Sequence, residues 1–232
     1  ALRLAAEFNQ PIMTLLCPRA EDCAVHFYTS EDEVGLVGHA ALAGAFVALD
    51  RLYPHRDSIV LRSPVGGDLP VSREGTQFFL DLQAMEPVPA ERIAHLDETL
   101  RDVAVEERLE TPFGAVAVLE DEDAVRTLRP DLSKALEVEA STVIVTAPGR
   151  DVDFVSRVFA PKFDMPEDPV CGTAHRLLAP YWAARLGRKR LSARQLCDRG
   201  GRFDCHVAGS TVRLGGNAVL LCEADIVLPA SS

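Results

Sequence analysis

The chain has 232 residues, 47% hydrophobic and 25% charged, with 35 acidic against 24 basic side chains and a formal charge of −11. That composition excludes wholesale disorder, and the acidic balance argues against a nucleic-acid partner, whose phosphates it would repel. No apolar run reaches the roughly 18 residues of a spanning helix, so no membrane partner is expected. The six cysteines, which form no CxxC pair, read as reduced thiols in a cytoplasm rather than a disulfide or zinc framework.

Residues 1–9 read as a helix stopped by Asn9-Gln10-Pro11. They lack an initiator Met and resemble a helix interior, so part of the native N-terminus is expected to precede them. Two strands follow, Ile12 to Cys17 and Ala24 to Thr29, with a turn from Pro18 to Asp22. From Ala40 to Leu52 the chain is almost wholly apolar, as a buried helix is, and Pro54 stops it. Residues 58–120 hold short strands, SIVLRS, LPVSRE, TQFFLDLQ and AVAVLE, with a weak helix over 91–103. An exposed helix and loop over 121–136 precede strands STVIVTAP and FVSRVFAP and a loop to Pro169. A second long helix is expected over 172–186, kinked at Pro180. Arg188-Lys189-Arg190 complements that helix's dipole. The end reads as strands FDCHVA, STVRLG and NAVLLCEADIVLP, with Gly-Gly turns at 200–201 and 215–216, and Gly-Gly at 66–67 reads as a further hairpin turn.

Two of these units echo each other. Val37-Gly38-His39-Ala40 lies over Cys171-Gly172-Thr173-Ala174, each follows an acidic loop, and Leu52 then falls on Leu186 without a gap. Duplication explains the echo, and so does coincidence between two strand–Gly–helix units. If the two helix starts face each other across a cleft, their unpaired N–H groups and partial positive charge make an anion site suited to a small carboxylate. Gly38 and Gly172 would let backbone approach closely. His39 and Asp168 could move protons, and Cys171 before a helix start could have a lowered thiol pKa. Each also has a plainer role: capping and packing for the Gly-His pair, a turn for Asp168, a small apolar residue for Cys171 and a helix start for Thr173. His175 reads as a packed or solvated helix residue. GxSxG, HExxH, Walker A and GxGxxG patterns are absent.

Glu-Asp-Pro-Val-Cys-Gly-Thr-Ala-His at 167–175 resembles EDPVTGSAH, the signature of the PhzF-like phenazine-biosynthesis family. Gly38-His39-Ala40-Ala41-Leu42-Ala43 is similar to its GHATLA, residues 157–161 to its RxFxP, and residues 214–219 to its terminal ISGxAV. The resemblance runs in order through the whole chain. It implies an α+β fold of two similar lobes, each a β-barrel-like sheet around a central helix, as in diaminopimelate epimerase. The N-terminal lobe would span 1–108, lacking its first strand and completed by a strand at 219–232. The C-terminal lobe would span 109–218. The resemblance further implies a homodimer, no metal or organic cofactor, and isomerisation by proton transfer on a small carboxylated metabolite. Carried over by position, His39, Asp168, Cys171 and Thr173 are the candidate catalytic residues. Gly38, Ala40, Gly172 and Ala174 are the candidate substrate-binding residues.

Two departures qualify the function. The family's acid/base is a Glu in a segment like NxSETAF, and that Glu falls on Ile12, which carries no proton. A catalytically inactive relative that binds a small acid, or serves as an interaction module, is therefore the alternative. In racemase relatives two cysteines act as bases at the two helix starts. Here Val37 occupies the first place, which excludes a two-thiol racemase.

Overall fold

The structure, a computed structural model, describes residues 1–227. Helix α1 (Leu2–Phe8) stops where Asn9 turns into the left-handed region (φ 46), which Asn tolerates better than most residues. Strands β1 (Met13–Pro18), β2 (Cys23–Tyr28) and the short β3 (Glu33–Val34) lead to helix α2 (Gly38–Val47). One π-helical turn, Ala48–Leu52, extends α2 before Pro54. Strands β4 (Ser58–Ser63), β5 (Gly67–Glu74) and β6 (Gln77–Gln83) complete the first lobe's sheet.

The chain then crosses to the second lobe. It forms β7 (Val88–Pro89), α3 (Leu96–Thr99), β8 (Glu107–Glu110), β9 (Gly114–Val118), α4 (Glu122–Thr127), α5 (Leu132–Ala135), β10 (Thr142–Pro148) and β11 (Phe154–Phe159). Helix α6 (Gly172–Leu186) and strands β12 (Arg190–Gln195), β13 (Gly201–Ala208) and β14 (Thr211–Gly216) follow. The strands lie on one continuous path, β1-β2-β4-β5-β6-β14-β13-β12-β11-β10-β9-β8-β7, with β3 beside β2. The seam between lobes is the antiparallel pair β6–β14, in register from Gln83↔Thr211 to Phe78↔Gly216.

The expected fold class is the one observed: α+β, two similar sheet lobes, each wrapped on one helix. Helix α2 is apolar on nearly every face because the sheet surrounds it, and Ala40, Ala41, Gly44 and Ala45 are buried. Both helices share a core with Phe27, Leu61 and Leu80 of the first lobe and Ile144, Phe154 and Trp182 of the second. A second core, with Leu96, Leu119, Val125 and Phe159, lies beneath α3–α5. It explains why β9, β10 and β11 are nearly continuous apolar runs: both their faces are covered.

Several elements differ from the sequence reading. The helix expected over 91–103 shrinks to Leu96–Thr99, because His95 and then Arg101 and Asp102 take positive φ. Strands β7, β8 and β12 fall where the sequence reading places none. The basic run 188–190 does not end the helix, which stops at left-handed Gly187, and Arg190 instead begins β12. Pro180 does not interrupt α6, which runs unbroken over 15 residues. Gly215 and Gly216 are not a turn but the end of β14. A Cβ on Gly215 would meet the Phe79 ring at 2.5 Å, and one on Gly216 would meet Leu42 at 2.8 Å. The closing strand expected over 219–232 is not formed across 219–227, which have no regular structure, and 228–232 lie outside the described residues. The expected lobe boundary at 108 falls inside β8, and Ile93, Leu96 and Leu100 before it pack into the second lobe.

Candidate active site

The first turns of α2 and α6 meet at their glycines. A Cβ on Gly38 would lie 3.0 Å from the Gly172 Cα, and one on Gly172 would lie 3.2 Å from the Gly38 Cα. The backbones thus touch, as the echo between the two units anticipates. Neither helix has a side-chain cap, and Val37 and Cys171, the preceding residues, are extended. The first-turn amides of α2 are therefore left to a ligand or solvent, whereas at α6 the Thr173 and Ala174 amides turn towards the Cys171 thiol. A cavity of about 520 Å³ opens here, lined by Gly38, His39, Gly172, Arg199, Phe203 and Asn217 among others.

His39 is held below the ordinary histidine range, first by burial; the positive charge of Arg199 adds to this, while Asp168 and a backbone contact to Val170 oppose it. Asp168 sits in the loop before α6, where three contacts fix it. Its N–H donates to the Val158 carbonyl (2.9 Å), its Oδ1 accepts from the Val170 N–H (2.9 Å), and its carbonyl accepts from the Gln195 side-chain amide. Gln195, fully buried, also accepts the Cys171 N–H at 2.8 Å and so clamps the loop at both ends. Glu167 is anchored by a two-pronged ion pair with Arg157 (2.7 and 2.9 Å), which also donates to the Val125 and Leu128 carbonyls of α4 and its end.

The remaining candidates are distributed unevenly. Cys171 is buried, and burial pushes its thiol well above the usual range, with Asp168 adding to the rise. The Ala174 and Thr173 amides pull the other way and lose. The lowered thiol pKa expected at this helix start is thus reversed. Ala40 and Ala174 are buried in the core, so their methyl groups do not face a ligand, and the Ala174 amide is turned towards Cys171. Thr173 is partly exposed in the first turn of α6. His175 is wholly buried, stacked on Phe203 with ring centroids 3.6 Å apart, as a packed helix residue. Sequence reasoning missed Gln195, Glu167 and Arg199. The RxFxP segment and the first residue of the signature carried a signal for the Arg157–Glu167 pair, whereas Gln195 and Arg199 lie in no motif. Among the described residues no cluster of His, Cys, Asp and Glu is placed to hold a metal ion.

The phenazine biosynthesis-like protein family model matches residues 2–224. The chain belongs to this family. A Pseudomonas aeruginosa protein named an uncharacterized isomerase is 39% identical over 226 residues, covering 97% of this chain and 86% of that one. The crystal structure of a phenazine biosynthesis protein of the PhzF family from Enterococcus faecalis superposes with a TM-score of 0.93 at 34% identity, over 98% of this chain and 86% of that one. A PhzC/PhzF protein from Clostridium difficile gives 0.90 at 28% identity, over 98% and 87%. For this PhzF-like chain, the family match and these superpositions establish the two-lobed architecture that the motifs imply. No helix among the described residues is long and apolar enough to cross a membrane.

Proposed function

We propose that this protein is a cofactor-independent isomerase that moves a proton within a small carboxylated metabolite bound between the lobes. The observation that carries the reading is the contact of Gly38 with Gly172, which brings two uncapped helix starts to one spot. Each start offers N–H donors and partial positive charge, so together they suit a carboxylate. Burial keeps His39 neutral and able to accept a proton, and Asp168 favours the imidazolium that results. Return of that proton at another substrate atom completes an isomerisation. Thr173 offers a hydroxyl at the second helix start. Cys171, whose proton is held tightly, is not the base. The relatives named as isomerases support the reaction class. The reading extends to a homodimer in the cytoplasm.

One observation favours a non-catalytic binder instead. Ile12, onto which the resemblance places the family's Glu, packs partly buried against the core and has no proton to give.

Proton exchange in D2O, followed by NMR with cyclic and amino-acid-like carboxylates, separates the readings. The unmodified protein should incorporate deuterium, and Asp168→Asn should abolish incorporation while leaving the fold intact. Incorporation only by an Ile12→Glu variant would establish the binder. Full exchange by Asp168→Asn would remove Asp168 from the mechanism.

A further inference from the structure

A second cavity of this protein lies apart from the cleft between the helix starts. It measures about 810 Å³ and lies among the end of α4, β12, the 196–200 loop and the start of β13. Six arginines line it: Arg126, Arg129, Arg157, Arg194, Arg199 and Arg202. Two of them are neutralised locally, Arg157 by Glu167 and Arg126 by Glu122. Among the described residues the other four have no carboxylate within ion-pair distance, although the chain as a whole carries a net charge of −11. Asp198 lines the same cavity without closing on any of them.

Two of the four are placed at a cost. Arg194 on β12 and Arg202 on β13 are direct register partners. Like charges directly opposite across a strand pair destabilise the sheet, because the two Cβ atoms stand only about 5 Å apart. Arg194 is partly buried and Arg202 exposed, so solvent screens the repulsion only in part. Arg199 and Arg202 flank the pair Gly200-Gly201, of which Gly200 is left-handed, so one tight turn presents both to the cavity. An arrangement that concentrates like charge and leaves it unpaired is relieved by a bound anion. The planar guanidinium fork suits oxyanions in particular.

We propose that this basin is an anion site separate from the cleft, which takes a small ligand carrying two or more phosphate-type oxyanion groups. Multiple charge is required because four guanidinium groups without a carboxylate partner line a space too large for a single small anion to touch them all. The basin and the cleft share the wall Arg199–Arg202. An anion neutralising Arg199 would therefore remove one of the influences that hold His39 down.

Inorganic pyrophosphate is the probe. Calorimetric titration of the full chain should give a saturable one-to-one isotherm that survives sodium chloride matched in ionic strength. Arg194→Gln with Arg202→Gln should weaken pyrophosphate binding at least tenfold. Without ligand, the same double variant should unfold at an equal or higher denaturant midpoint, because the cross-strand repulsion is gone. Absence of saturable binding would overturn the proposal, as would undiminished binding by the double variant. A lower midpoint of the ligand-free variant would assign these arginines to holding the strand pair, and would overturn it too. None of these outcomes depends on isomerase activity, so the proposed reaction and this site fail separately.

Discussion

Gly38 opens α2, where alanine is intrinsically the better helix former. The neighbour decides otherwise. Its missing Cβ would stand 3.0 Å from the Gly172 backbone, which belongs to a second buried helix and cannot swing aside. Gly38→Ala should therefore destabilise the protein by about 1–3 kcal/mol, the usual penalty for overpacking, and weaken carboxylate binding by prising the helix starts apart. Urea unfolding checks the first effect and thermal shift with a carboxylate ligand the second; a stabilised variant would refute the contact. His175 gives a second prediction. Its Nδ1 lies 2.8 Å from the Cys171 carbonyl, so that nitrogen carries the proton, while buried Nε2 has no partner among the described residues. Burial lowers this group to about 4. The unfolded chain, with an ordinary histidine near 6.5, then binds the proton first as pH falls. Stability should be full above pH 6.5 and decline towards pH 4, by about 3 kcal/mol from this residue at 1.36 kcal/mol per pKa unit. Urea midpoints across that window should fall less steeply in His175→Phe, and equal slopes would contradict the assignment. At this scale the sequence was legible where a motif named the residue: Gly38, His39, Asp168 and Gly172 all lie at the junction. It was silent on Gln195 and Arg199, because their roles arise from β12 and the following loop folding back over the signature.

Pro180 shows how an element can ignore its local grammar. Proline inside a helix removes one N–H and costs about 3 kcal/mol in a free helix. The carbonyl left without its partner is that of Arg176, four residues earlier, and the Met85 N–H from the lobe connection donates to it at 3.1 Å. The helix stays regular because the connection that follows β6 supplies the missing donor. Pro180→Ala should consequently stabilise the protein by only about 1 kcal/mol, since the hydrogen bond it restores competes for an acceptor already in use. The Met85 amide should be strongly protected from hydrogen exchange in the parent chain, and rapid exchange there would disprove the compensation. Helices α2 and α6 could be read from apolar runs long enough to stand without periodicity. β12 could not, because its alternation of Leu191, Ala193 and Gln195 against Arg190, Ser192 and Arg194 follows a basic run that imitates a helix end. The 217–227 stretch erred the other way: its apolar residues satisfy a strand pattern, yet Val219, Leu221 and Val227 are exposed and no described strand pairs with them.

For the whole molecule the question is whether two lobes behave as two units. The residues argue for one. Strands β6 and β14 pair along their full register, and the core that buries α2 continues into the core that buries α6. At the end of that seam Gly215 admits the Phe79 ring, where a Cβ would come within 2.5 Å. Trp182, the only tryptophan, is buried in the second lobe, stacked on Phe154 at 5.8 Å and donating its indole N–H to Thr146 at 3.0 Å. Its fluorescence reports one lobe, whereas far-ultraviolet circular dichroism reports both. With a shared core and a continuous sheet, the two signals should trace one coincident denaturation curve. Gly215→Ala presses a methyl group into the seam, and should lower the midpoint of both signals together by an amount equivalent to about 2 kcal/mol. If the fluorescence curve stayed in place while the dichroism curve split, the seam would be a contact between independent domains. The cleft would then depend on how the domains happened to dock. Coincident displacement instead means that the opposed helix starts are held by the same cooperative unit that holds the sheet, so the spacing between Gly38 and Gly172 is set by the fold and not by the ligand.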